Sequence, residues 1–235
     1  MGMIVDYTSL DLETTGLNPK RDRIIEIGAI KVRNGKTVEE FWELVNPGRV
    51  LEEKICGLTG IGNEMLVEAP EIGEVIDRLL EFIGDDVLVG HRVLFDYSFV
   101  KKAAVNNSLV FEKGGIDTLK LSRKLLPELE SKSLASVCRY YGIEHKAHRA
   151  LGDARATSEL YWKLAGQFYR ENEEEFQPKQ LIYQAKKEGP ISRRQKERLY
   201  KLMDRHKLTI AYNIDKLTRN EADRIMDQIL AEYGR

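Results

Sequence analysis

Cysteine is scarce in this chain: two residues, Cys56 and Cys138, far apart among 235 and set in apolar surroundings. A disulfide framework or a zinc knuckle needs denser, regularly spaced cysteines. Both are therefore read as reduced thiols in or near a core. Long apolar runs are also missing, and none approaches the roughly 20 residues that cross a bilayer. The start, Met1-Gly2-Met3-Ile4-Val5-Asp6, has neither the charged and apolar regions of a secretory signal nor the hydroxyl residue of a myristoylation site. A reducing, cytoplasmic setting with no membrane partner is expected. Net charge is nearly absent, at a formal −1, which excludes a polycation built to coat nucleic acid. Any such contact must come from a local basic patch or from metal-mediated phosphate binding. What is present, 42% hydrophobic and 32% charged residues, suffices for one well-buried domain plus a small appendage.

The pattern along the chain alternates strands and helices. Met3 to about Leu12 is β-prone, and Arg23–Val32 and Thr37–Val45 read as strands joined through Asn34-Gly35, a strong hairpin signal. After Ala69-Pro70, Ile72, Val75, Ile76, Leu79, Leu80 and Ile83 fall at helical spacing, with Gly84 as the stop. Val87-Leu88-Val89-Gly90 is a short apolar run of the kind found in buried central strands. Helix patterns return at Asp96–Val105, Thr118–Leu126, Ser133–Tyr141 and from Ala150 to about Arg170. Together these predict an α/β domain with a mixed sheet over residues 1–170. The acidic run Glu171–Glu175 and the polar stretch ending at Gly189-Pro190 predict a linker over 171–190. Residues 191–235 predict a small helical module, with Ser192 and Thr218 as N-caps and Glu221 completing a capping box.

Three patches carry the candidate chemistry: Asp11-Leu12-Glu13-Thr14-Thr15-Gly16, His91 to Phe99 with Asp96 inside, and His148-Arg149-Ala150-Leu151-Gly152-Asp153. Asp11 and Glu13, two apart on a strand, point to one face. They are either a solvated acidic strand end or a pair of ligands. Thr14-Thr15-Gly16 suits a tight turn bringing backbone N–H groups to a ligand, and Leu17 follows where a base could stack. Asp96 lies just beyond the buried strand, where open α/β sheets bind ligands; a plain helix N-cap is the alternative. His91 reads as a structural hydrogen-bonder near the strand end rather than a catalyst, since the base role has a better candidate. His148 and Asp153 flank the entry to the long helix, and His145 competes for the role of His148. Four carboxylates and one histidine are the inventory of a two-metal phosphodiesterase, in which ions roughly 3.5–4 Å apart activate water and stabilise a leaving oxygen. Hard oxygen ligands point to Mg²⁺ or Mn²⁺, and a histidine suits the general base.

The three patches resemble the motifs of the DEDD 3′–5′ exonuclease superfamily, in its histidine-bearing, DnaQ-like branch. That branch includes the epsilon subunit of bacterial DNA polymerase III and the exonuclease domain of PolC-type polymerases. The first motif matches Asp11 through Gly16, the second Gly90-His91 and Phe95-Asp96, and the third His148-Arg149-Ala150 with Asp153. Asn46-Pro47, Leu58-Thr59-Gly60-Ile61 and Ala69-Pro70 also stand where that family carries similar words. The resemblance covers about Met3 to Arg170. It implies a ribonuclease-H-like fold, two divalent ions held by Asp11, Glu13, Asp96 and Asp153, and His148 as general base. Thr14, Thr15, Gly16 and Leu17, with His91, Arg92 and Phe95, would form the substrate-contacting set. One departure is Arg92, where the family most often has asparagine; an arginine there can contact a phosphate or point to solvent.

The activity the resemblance implies is metal-dependent release of nucleoside 5′-monophosphates from DNA 3′ ends, single-stranded or frayed. RNA trimming by the same fold and attachment to a DNA polymerase as an interaction subunit are the alternatives. In the tail, Arg193, Arg194, Lys196, Arg198, Lys201, Arg205 and Lys207 crowd one short stretch. They form either an electrostatic foothold on a phosphate backbone or a solvated helix surface.

Overall fold

In a computed structural model, residues 2–145, 147–209 and 213–234 are described. Strand β1 (Tyr7–Thr14) pairs antiparallel with β2 (Ile24–Arg33), which pairs with β3 (Lys36–Leu44) through the expected Asn34-Gly35 turn. Two short helices, α1 (Glu53–Thr59) and α2 (Asn63–Leu66), precede α3 (Ile72–Ile83). The apolar run gives β4 (Leu88–Gly90), parallel to β1, and α4 (Val93–Asn106) leads to β5 (Gly114–Asp117), parallel to β4. Helices α5 (Thr118–Leu125), α6 (Leu134–Tyr141) and α7 (Ala150–Phe168) follow. Among the described residues the sheet has six strands, in the order β3-β2-β1-β4-β5-β6, with β6 at Lys179–Gln180. The mixed sheet flanked by helices expected from the pattern is the architecture found.

Strand alternation sorts the core into two layers. Leu10, Leu12, Ile27 and Ala29 face α3 and α4, packing on Val75, Ile76, Leu79, Tyr97 and Val100. Tyr7, Ile30 and Val32 face the other way, onto Val137, Leu160, Tyr161 and Leu164 from α6 and α7. Polar bonds hold α7 in register on β1: Ser9 Oγ donates to the Ala154 carbonyl (2.8 Å), and the Tyr7 hydroxyl pairs with Ser158 Oγ (2.7 Å).

Residues 171–190, expected as a linker, are tied into the domain instead. Phe176 is buried against Tyr161 and Tyr169, Lys179–Gln180 adds β6 to β5, and Leu181 joins the α3–α4 layer. The acidic run made the stretch look soluble, but two well-placed apolar side chains and one strand edge suffice to dock it.

The C-terminal module comprises α8 (Arg193–His206) and α9 (Arg219–Tyr233), opened by the expected N-caps Ser192 and Thr218; the expected capping box forms at Thr218–Glu221, and Gln195 completes a second one with Ser192. Ile191, Leu199, Leu202, Leu217, Ala222, Ile225 and Met226 give it a core of its own. Among the described residues no helix is long and apolar enough to cross a membrane.

One close approach fixes where α7 begins. A Cβ built on Gly28 would meet the backbone of Ala150 and Leu151 at 2.1 Å, so only glycine lets the first turn of α7 lie on β2. Gly28→Ala is expected to destabilise the protein by roughly 1–3 kcal/mol through overpacking, seen as a lower urea midpoint; an unchanged midpoint would contradict this packing.

Candidate active site

The site forms at the carboxyl ends of the parallel strands β1 and β4, where open α/β sheets take ligands. In the β1–β2 register Asp11 faces Gly28 and Glu13 faces Glu26. Asp11 and Glu13 therefore project from the side of the sheet that α7 covers, and the space left by Gly28 lets α7 bring Asp153 to them in its first turn. Ligand oxygens of Asp11, Glu13 and Asp153 lie within 4.8 Å of one another. Asp96 arrives from α4, on the opposite face, and its buried Oδ1 accepts from the Leu12 N–H (3.1 Å). The bond ties Asp96 to the residue between Asp11 and Glu13.

Such a cluster works against itself. Burial, then Asp96, Asp153, Glu13 and Glu26, push the Asp11 carboxyl well above the ordinary aspartate range. Burial, then Asp153 and Glu26, push Glu13 up to about 7, with Arg149 opposing. Asp153 is also raised by burial, despite bonds from His145 and the His148 backbone. Like charges held close while partly desolvated bind protons or cations to relieve the repulsion. An all-oxygen donor set without cysteine fits a hard divalent cation such as Mg²⁺ or Mn²⁺.

The cluster is assembled by a carboxylate that is not part of it. Glu26 is 0% exposed. It accepts from Arg149 Nε (3.0 Å) and Nη2 (2.8 Å), from the Ala150 N–H (2.9 Å) and from Trp42 Nε1 (2.7 Å). Its charge sits at the positive end of the α7 dipole and ties down Arg149 and Ala150, the two residues that follow His148. Sequence reasoning missed Glu26, although a signal was present: it is the one acid inside the apolar run Ile24-Ile25-Glu26-Ile27.

The histidines divide unequally. His145 Nε2 lies 2.7 Å from Asp153 Oδ1, its ring nearly buried. His148 is exposed and left-handed (φ 65°), and its backbone N–H donates to Asp153 Oδ2 (3.2 Å). No hydrogen bond holds the His148 ring among the described residues, so it is free to turn. Both nitrogens of His91 are used, Nδ1 on Thr118 Oγ1 (3.0 Å) and Nε2 on the Lys132 carbonyl (2.8 Å). That is the structural role open to it from sequence. Arg92 is exposed and also left-handed (φ 80°), its N–H on Asp117 Oδ1 (3.0 Å), with its guanidinium 5.8 Å from the Phe95 ring. Thr14 Oγ1 donates to the Gly16 carbonyl (2.6 Å), while Thr15 Oγ1 accepts from the Arg23 N–H (3.0 Å). Both hydroxyls build the turn, and Leu17 at its tip is 77% exposed.

A family model for exonucleases, RNase_T, matches residues 8–161. The chain belongs to this exonuclease family. It is 39% identical over 160 residues to the DNA polymerase III subunit epsilon of Aquifex aeolicus, covering 67% of this chain and 79% of that one. It is 41% identical over 161 residues to the PolC-type DNA polymerase III of Caldanaerobacter subterraneus subsp. tengcongensis, covering 68% of this chain and 11% of the relative. The chain thus spans a small part of the PolC-type length. Among solved structures, exonuclease X in complex with 5′ overhanging duplex DNA aligns at a TM-score of 0.56 and 25% identity, covering 69% of this chain and 92% of that one. The DnaQ-like resemblance and the enzyme class read from the motifs agree with this membership. The RNase_T exonuclease family is metal-dependent, and the Asp11–Glu13–Asp153 group offers a place for a cation.

The raised carboxyls carry a pH signature. Glu13 stands at about 7 in the fold against an ordinary value of 4.5, so between those values the fold holds a proton the unfolded chain has lost. Metal-free stability is therefore present at low pH and falls as pH rises from about 4.5 towards 7. Thermal unfolding in chelator across that range is expected to show the decline, with Glu13→Gln flattening it; the same slope in both proteins would contradict the clustered geometry.

Proposed function

We propose that this chain is a 3′–5′ exonuclease that releases nucleoside 5′-monophosphates from single-stranded or frayed DNA ends, using two Mg²⁺ or Mn²⁺ ions. The observation that carries the reading is the approach of the Asp11, Glu13 and Asp153 oxygens to within 4.8 Å, with Asp96 tied to the same strand. Asp11, Glu13, Asp96 and Asp153 would hold the ions. When bound, these lower the pKa of an attacking water and stabilise charge on the departing 3′-oxygen.

The protein groups do the rest. His148, exposed at the mouth and with an unheld ring, takes the proton from the attacking water. His145 orients Asp153 through its 2.7 Å contact. Leu17, projecting from the turn built by Thr14, Thr15 and Gly16, packs on the terminal base, and Arg92 and Phe95 border the strand's path. A terminal phosphodiester must reach carboxylates seated at the sheet end, which favours a frayed or single-stranded terminus over a paired one. The reading includes a cytoplasmic setting with Cys56 and Cys138 as free thiols, and a division between the catalytic domain and the module after about residue 190. A second reading, work beside a DNA polymerase, has the polymerase III subunit name of the Aquifex relative behind it; co-purification with a polymerase tests it.

The deciding experiment is digestion of 5′-labelled single-stranded DNA and RNA of matched sequence with Mg²⁺ or Mn²⁺. A ladder shortening from the 3′ end of DNA is expected, abolished by Asp11→Ala. His148→Ala should lower kcat by roughly 10²–10⁴-fold, and His145→Ala by less. Faster trimming of RNA would overturn the DNA assignment, and the reverse ranking of the histidines would move the base role to His145.

A further inference from the structure

The C-terminal module docks on the turn that leaves the carboxylate cluster. Glu221, the capping-box residue of α9, is buried and accepts from Arg23 Nη2 (2.6 Å) and Arg49 Nη2 (2.7 Å), besides the Thr218 N–H (2.9 Å). Burial would raise its pKa, but Arg23, the Thr218 N–H and Arg49 hold the Glu221 carboxyl below the usual glutamate value. Arg23 is also the residue whose backbone exchanges bonds with Thr15, its carbonyl accepting from the Thr15 N–H (2.9 Å). One arginine thus joins the candidate substrate turn to the module. Arg224 adds a bond to the Lys20 carbonyl (3.2 Å) on the same loop, and Lys216 pairs with Glu71.

On α8 the cations fall into two sets. Arg193 pairs with Glu197, and Lys196 with Asp215. Arg194, Arg198, Lys201 and Arg205 are all exposed and make no ion pair or side-chain hydrogen bond among the described residues. Their spacing, i, i+4, i+7 and i+11, puts them on one stripe of the helix, about 16 Å long at 1.5 Å per residue. The two acids of α8, Glu197 and Asp204, lie off the stripe. Like charges three and four apart repel along a helix, and although Glu197 stands three residues from Arg194 and four from Lys201, its carboxylate pairs with Arg193 instead.

We propose that this stripe grips the phosphate backbone of the single DNA strand whose 3′ end lies at the carboxylate cluster, making the module the holding arm of the exonuclease. The inference rests on the exonuclease reading above. Four cations spread along about 16 Å cannot converge on one phosphate; they match a linear polyanion. An anionic membrane fits poorly, because Leu199 and Leu202 of α8 are buried in the module core and Met203 packs against it, leaving Tyr200 as a single exposed aromatic and no apolar face to insert. The grip is on backbone charge and is therefore independent of base sequence. Lys20 and Arg21 are exposed on the loop that the module contacts and add positive charge there.

The test is the salt dependence of binding by the full chain to fluorescein-labelled oligothymidine with metal removed. The wild type is compared with R194Q/R198Q/K201Q/R205Q and with the charge-preserving R194K/R198K/R205K. Each single-strand phosphate contact contributes about 0.7 to the slope of log K against log salt. The neutralised variant should lose about 3 of that slope, at about 0.7 for each of four contacts, while the charge-preserving variant keeps it. Equal slopes in wild type and neutralised variant overturn the proposal, as does tighter binding of RNA of the same length. The readout needs no hydrolysis, so a wild type that binds with a steep slope but never shortens DNA would sink the exonuclease reading and leave the stripe standing.

Discussion

The buried carboxylate of Glu26 is the interaction on which the site depends. A charge with no exposed surface is costly unless every lone pair finds a partner, and Glu26 finds Arg149, the Ala150 N–H and Trp42. Those partners belong to α7's entry and to β3, so satisfying one side chain draws two elements together on β2. Gly28, two residues on along the same face, removes the Cβ that would hold α7 away. The position of Asp153 beside Asp11 and Glu13 follows from this pair of constraints, since Asp153 stands one turn into the helix that Glu26 holds down.

The second constraint pulls the other way. Asp11, Glu13, Asp96 and Asp153 are partly or largely withdrawn from water, which raises the pKa of each, and neighbouring acids raise those of Asp11, Glu13 and Asp96 further. No folding benefit arises from placing them together, and the surrounding bonds oppose the repulsion only in part. Local arrangements that disfavour the fold gather where a ligand is bound. Two non-glycine residues in left-handed backbone, Arg92 and His148, stand in the second and third motifs, which places further local cost at the same end of the sheet.

Much of this was legible in the sequence. The hairpin at Asn34-Gly35, the amphipathic helix after Pro70, the buried strand in the run Val87–Gly90, the N-caps Ser192 and Thr218 and the Thr218–Glu221 capping box rest on local chemistry, and each formed. The three acidic motifs stood out because carboxylates at strand and helix ends cannot be core residues. What could not be read were contacts set by tertiary packing. The His145 ring reaches Asp153 while the His148 ring stays free, a distinction that depends on the path of the loop before α7. Thr14 and Thr15 spend their hydroxyls on the turn itself. The docking of 171–190 through Phe176 and Leu181 was hidden by the polarity around them, and the Glu221 clamp spans 198 residues to Arg23.

The central claim is that a divalent cation sits among Asp11, Glu13 and Asp153. The most direct measurement is an anomalous difference map from crystals of the protein soaked in Mn²⁺. The account predicts a peak in contact with oxygens of all three carboxylates, absent from Asp11→Asn crystals treated in the same way. No peak there, or occupancy only at other surface acids, would contradict it.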